Sequence, residues 1–216
     1  MPRARDLRVA LGLDWGNSSP GVFGWGAALP DGHVSIFDEY KFQRQTAKTV
    51  AEAVKDKCSD WKLPRVPTTY CDPSLLPSKE GELGEWIGLT LRRHGIPCVR
   101  VSNDRVNGWQ RIHEALAPCG HLECISADYP LGRPWMTIHP RCRYGARTFP
   151  LMIQAANNPE DLDTDSDDHY CDMVRYLLMG GLRPSIFRPT TPALVPNSIA
   201  WWRKMYGSKE PRGVLA

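Results

Sequence analysis

The chain has 216 residues, a formal net charge of +3 and 42% hydrophobic residues. That is enough apolar material for one large domain, or a domain with a tail, and no apolar run approaches the roughly 20 residues of a membrane-spanning helix. Seven scattered cysteines give no disulfide framework and the basic N-terminus lacks a signal-peptide core, so a soluble intracellular protein is expected.

In chain order, residues 8–14 read as a buried strand, and residues 21–29 and 33–42 as a hairpin turning at Pro30-Asp31-Gly32. Residues 46–58 place Val50, Ala53 and Val54 on one side and lysines elsewhere, which predicts an amphipathic helix. A short proline-bounded strand ends at Asp72. A second helix covers residues 80–94, with Leu83, Trp86, Ile87 and Leu91 at helical spacing and Gly95 as its stop. Residues 98–102 read as a fifth strand and 106–116 as a third helix. Residues 135–139 form a short β-addition, residues 149–156 a further helical stretch, and residues 169–179 a last helix stopped by Gly180-Gly181. Beyond residue 183 the pattern dissolves into Pro-Thr-Ala sequence, which predicts a domain over residues 1–183 and a flexible tail over 184–216.

Charge is unevenly spread. Residues 91–150 hold nine basic and four acidic side chains, residues 151–180 one basic and seven acidic, and residues 181–216 six basic and one acidic. An acidic pocket between basic flanks suits a polyanion drawn onto metal ions, although ordinary surface charge gives the same counts.

Three carboxylates stand in punctuated motifs. Asp14 ends an apolar run before Trp15-Gly16-Asn17-Ser18-Ser19, Asp72 ends another before Pro73-Ser74, and Asp172 lies in Asp168-His169-Tyr170-Cys171-Asp172 at the start of the last helix. Acids at two strand ends and one helix start can converge, and converging carboxylates suit a hard divalent cation. Turn or capping duty is the alternative for Asp14 and Asp72.

This order of elements resembles the ribonuclease-H-like fold and, within it, the nuclease domain of the large terminase subunit of tailed bacteriophages. The residues that carry the resemblance are Leu13-Asp14-Trp15-Gly16, Asp72-Pro73-Ser74, Asp168-His169-Tyr170-Cys171-Asp172-Met173-Val174-Arg175-Tyr176, and Asn103-Asp104-Arg105 followed by Gly108-Trp109. It covers about residues 8–180. It implies an α/β fold with a mixed five-stranded sheet flanked by helices, and an endonuclease that cuts concatemeric viral DNA during packaging. Its cofactors would be two Mg²⁺ or Mn²⁺ ions, held by Asp14, Asp72 and Asp172 with Asp168 and His169 as further candidates. Double-stranded DNA is the implied substrate, with the portal protein, the small terminase subunit and a packaging ATPase as partners, in the cytoplasm of an infected bacterium and with no membrane. The ATPase phosphate loop of whole large terminases is missing from this sequence, so DNA translocation is not expected of it.

On the residues themselves, Asp168 can either cap the last helix or add a fourth carboxylate, and His169 shares a helix face with Asp172. Arg105, Arg111, Arg141, Arg143 and Arg147 are the candidate phosphate contacts. Trp15, Trp109 and Trp135 read as core. Asp161-x-Asp163-x-Asp165 imitates a calcium loop but has Ser166 where glycine is needed. Cys119-x-His121-x-x-Cys124 with His139-x-x-Cys142 could hold zinc, yet its spacing matches no common finger. A Holliday-junction resolvase, an actin-like nucleotide binder and a non-catalytic DNA-binding packaging module are the competing functions.

Overall fold

A computed structural model describes residues 7–16, 18–78, 86–155, 158–162, 167–182 and 184. Strands β1 (Arg8–Asp14), β2 (Gly21–Ala28) and β3 (Val34–Phe42) form an antiparallel meander. Gly32, at a φ of 86°, makes the left-handed turn between β2 and β3. Helix α1 (Ala47–Asp60) begins where the Thr46 side chain accepts the backbone N–H of Thr49. It carries the chain across to β4 (Thr69–Cys71), parallel to β1. Helix α2 (Ile87–Arg93) then leads to β5 (Cys98–Arg100), parallel to β4. Helix α3 (Arg105–Leu116) follows, capped by Asp104 through Asn107 N–H. Strand β6 (Met136–Ile138) adds to the free edge of β3, giving a mixed six-stranded sheet in the order β5-β4-β1-β2-β3-β6. The five expected strands and the β-addition thus belong to one sheet.

Side-chain alternation along the strands sorts the core into two layers. Leu11 and Leu13 of β1, with Phe23 and Trp25 of β2, pack against Val50 and Val54 of α1 and Leu91 of α2. On the opposite face, Ala10, Val22 and Ile36 pack against α3, α4 (Arg143–Thr148) and α5 (His169–Gly180). Helix α5 is apolar on nearly all sides and buried from Tyr170 to Leu178, as a helix between a sheet and other helices must be. It lies against a seam of glycines. A Cβ on Gly12 would come within 2.4 Å of the Met173 carbonyl oxygen, and one on Gly24 within 2.3 Å of the Met173 sulfur. Only bare backbone lets the helix approach so closely. Gly181 ends the helix at a φ of 139°.

Two expectations are corrected. The fourth helix occupies residues 143–148, and the described residues 149–155 contain no α-helix. Phe149–Leu151 form a single 3₁₀ turn, and Gln154–Ala155 (β7) pairs with Asn158–Leu162 (β8) in a separate two-stranded ribbon. The Glu39 carboxylate of β3 explains the start, since it accepts the backbone N–H groups of Tyr144 (2.6 Å) and Gly145 (3.0 Å). Pro150, lacking an N–H, favours the stop. The second helix starts at Ile87: Trp86, expected inside it, is extended (φ −90°, ψ 129°) and precedes its first turn, while residues 79–85 and nearly all of the expected tail lie outside the described set. Among the described residues no helix is long and apolar enough to cross a membrane.

Candidate functional site

The alternation that sends Leu13 toward α1 turns Asp14 toward α5. Strands β1 and β4 are parallel and pair Leu13 with Cys71, so Asp14 and Asp72 follow side by side at the same sheet edge. Asp72 Oδ1 accepts the backbone N–H of Ser74 (2.7 Å), capping the short turn after β4, and its Oδ2 accepts the Tyr176 hydroxyl (2.6 Å). Burial alone would raise its pKa, but those two hydrogen bonds and the charge of Arg175 outweigh it and hold the carboxyl below its ordinary value.

The first turn of α5 brings three more groups, at a helix N-terminus that favours negative charge. His169 Nδ1 lies 2.9 Å from Asp14 Oδ2. Asp14 is raised above its ordinary pKa by burial; the His169 hydrogen bond opposes this, and the charges of Asp172 and Asp72 add to it. Asp168 is pushed up to about 6 by burial and by the charge of Asp172. His169 is raised by its bond to Asp14, against burial. Asp168 occupies the position before the helix, but its side chain makes no capping bond, so the capping alternative is set aside. Its Oδ2 lies 3.7 Å from Arg105, whose other terminal nitrogen lies 3.5 Å from Asp172.

Asp172 is held from below by Arg175, three residues on in α5 and fully buried. Its Nε donates to Asp172 Oδ1 (2.8 Å) and an Nη to the Asn103 side-chain oxygen (2.9 Å). The guanidinium stacks 4.4 Å from the centre of the Tyr176 ring, and the Tyr176 hydroxyl is what Asp72 accepts. A buried frame of Arg175, Tyr176 and Asn103 therefore fixes two acids from two different segments. Asn103, Arg175 and Tyr176 belong to the motifs that carry the resemblance but were given no site role. A single arginine amid nine buried helix residues, three after an acid, was the available signal.

The donor set suits hard divalent cations. It consists of carboxylates, close enough that the charges of Asp172 and Asp72 add to burial in raising Asp14 and that of Asp172 adds to burial in raising Asp168. No three of these groups bring ligand atoms within 4.8 Å of one another among the described residues, so they form an open rim rather than a closed cage. Such a rim leaves much of a cation's shell to water and substrate oxygens.

The candidate phosphate contacts divide. Arg105 belongs to the acid rim and also lies over the Trp109 ring. Arg111 is exposed and paired with Glu114 at 3.1 Å, Arg141 stacks on Trp61, and Arg143 and Arg147 are exposed on α4. The Tyr144 hydroxyl donates to Asp167. Trp109 is buried, as expected of core; Trp15 packs on Phe42 and Trp135 on His33 and His121. The calcium-loop reading does not hold: Asp161 is in β8 and Asp172 inside α5, with 163–166 outside the described residues. His139 and Cys142 do not join Cys119 and Cys124. Cys142 is buried with its thiol on the Ile36 carbonyl, and His139 Nδ1 accepts Arg141 N–H.

By sequence, the chain matches no family model and no curated protein. By structure it is similar to the nuclease domain of the phage P22 large terminase, with a TM-score of 0.61 at 15% identity over 83% of this chain and 84% of that one. It is similar to the large terminase of the thermophilic bacteriophage D6E in complex with ATP-γ-S, with a TM-score of 0.57 at 18% identity over 82% of this chain but 40% of that one. It also resembles the large terminase nuclease domain of bacteriophage SPP1 with bound Mn, with a TM-score of 0.50 at 17% identity over 79% of this chain and 85% of that one. The ribonuclease-H-like α/β fold is thus the one found in large-terminase nuclease domains, and the chain spans about two fifths of the D6E protein.

Proposed function

We propose that this chain is a metal-dependent endodeoxyribonuclease that cuts concatemeric viral DNA during genome packaging in the cytoplasm of an infected bacterium. The observation that carries the reading is the convergence of Asp14, Asp72 and Asp172 from three separate segments onto one sheet edge, in a fold shared with terminase nuclease domains. Similarity to an SPP1 domain with bound Mn supports the choice of a divalent cation.

When bound, two Mg²⁺ or Mn²⁺ ions would supply activation of the attacking water and stabilisation of the leaving 3′ oxygen. Asp14, at the centre of the sheet edge, Asp72 and Asp172 are the residues that would hold the ions. Asp168 adds charge from the helix start. His169 holds a proton against Asp14 and keeps its carboxylate oriented. The Arg175–Tyr176–Asn103 frame fixes Asp172 and Asp72 and so preserves the spacing of the two sites. Arg111, Arg147 and Arg105 would meet the DNA backbone without reading sequence. A portal protein, a small terminase subunit and a packaging ATPase are the proposed partners.

The test is nicking of supercoiled plasmid by the full chain in Mn²⁺. Activity that is lost with chelator and in Asp14→Asn is expected. No cleavage in Mn²⁺ or Mg²⁺, or undiminished cleavage by Asp14→Asn, would sink the proposal. Preference for four-way junctions over linear duplex would move it to a resolvase.

A further inference from the structure

At the far end of the sheet from the acids lies a second cluster of metal-ligand side chains. His33 precedes β3, next to the β2–β3 turn. Asp14 pairs with Val22 and Arg8 with Ala28, so this turn lies six residues along the strands from the acid edge, about 20 Å away. Over the turn folds the segment between α3 and β6, which has little regular structure beyond a short turn at Leu122–Cys124. The ligand atoms of His33, Cys119 and Cys124 all lie within 4.8 Å of one another, and no other three such residues among those described do so.

We propose that His33, Cys119 and Cys124 bind one structural Zn²⁺ that clamps the residue 117–135 segment onto the β2–β3 turn. The inference is independent of the nuclease reading. Two thiols and an imidazole are soft and borderline ligands, which select zinc over the hard cations suited to the acid rim. The dimensions agree: tetrahedral zinc with ordinary bond lengths separates a sulfur from a nitrogen ligand by about 3.6 Å, and Cys124 Sγ lies 3.8 Å from His33 Nε2. The thiols are free.

The surroundings are those of a ligand shell. His33 is 1% exposed; its backbone N–H donates to Asp31 Oδ1 (3.1 Å), which lies 3.2 Å from the ring Nδ1, a nitrogen that makes no hydrogen bond of its own. Asp31 is itself held by Arg133. The backbone N–H of His121 points at Cys119 Sγ (3.4 Å), a bond that favours a thiolate. Arg133 and Cys124 are joined backbone to backbone, as are Cys119 and Arg133, so both cysteines hang on one small frame. His121, 5% exposed and with its ring centre 6.2 Å from that of His33, lies outside this three-ligand cluster, which leaves the fourth position to water.

The test is elemental analysis of the full chain, desalted after exposure to Zn²⁺ under reducing conditions, with Co²⁺ substitution read by absorption. About one zinc per chain is expected, undisplaced by excess Mg²⁺, with tetrahedral cobalt bands and thiolate-to-cobalt charge transfer. Cys119→Ser with Cys124→Ser should lose the zinc, and Asp14→Asn with Asp172→Asn should keep it. The cobalt spectrum of the unaltered chain needs no variant to fold. No bound zinc, a cobalt spectrum without thiolate character, or zinc that follows the acids rather than the cysteines would overturn the proposal.

Discussion

Asp168→Asn should stabilise the metal-free protein at neutral and alkaline pH. Asp168 is 8% exposed, and burial with the charge of Asp172 pushes its pKa from 3.8 to about 6, with the opposing charges of His169 and Arg105 already counted in that value. A carboxyl whose folded pKa is raised contributes stability below its unfolded pKa and loses it as pH rises through the folded value. A rise of roughly two units corresponds to about 3 kcal/mol, lost between about pH 4 and pH 7 in the wild type and retained by the asparagine variant. In a chain of this size that is a rise in Tm of about 6 °C or more. Thermal melts in chelator at pH 8 and pH 4 measure it: a large gap at pH 8 that closes at pH 4. A variant no more stable at pH 8, or a gap equal at both pH values, would refute the electrostatic argument. Saturating Mn²⁺ should then raise the wild type more than the variant, by linkage, if Asp168 is a ligand; equal rises would remove it from the ligand set.

The other acids should separate by their partners. Asp14→Asn should hold or raise Tm without metal, because burial opposes its charge, whereas Asp172→Leu should cost about 3–5 kcal/mol by leaving the buried Arg175 guanidinium unpaired; paired denaturant melts decide this. Gly12→Ala should destabilise the fold by about 2 kcal/mol or more and depress cleavage further than Gly24→Ala. The first added methyl meets the Met173 backbone and must lift α5, while the second meets a side chain that can turn aside. Equal loss in both variants, by melting and plasmid nicking, would show that the seam does not set the approach of α5.

The strands, most helices and the placing of three acids at two strand ends and the start of the last helix were legible because each leaves a local mark. Asp14 and Asp72 terminate apolar runs, and a parallel register turns two such ends into neighbours. Asp172 follows from helical periodicity. What escaped has no local mark. A six-residue helix at Arg143–Thr148 is too short to show a period, and it starts there because Glu39, about a hundred residues earlier, caps it. Tyr176 meets Asp72 and Arg175 meets Asn103 only through the fold, across 104 and 72 residues. Cys119 and Cys124 were weighed with the nearby His139 and Cys142, but the side chain beside them is His33, 91 residues from Cys124, because strand pairing brings the hairpin turn beneath the loop.

The position of α5 also has a consequence for synthesis. Asp14 and His169 are 155 residues apart, and the helix carrying His169 and Asp172 fills the glycine seam under β1 and β2. Until that helix emerges from the ribosome, the nascent sheet presents an uncovered apolar groove on one face, a surface for chaperones or for misassociation. Over the same interval the acids of β1 and β4 lack both the arginine frame and their helical partners. Closing so long a loop is the slow step that topology imposes, and the acid centre comes into being only with it, as the last part of the domain to be born.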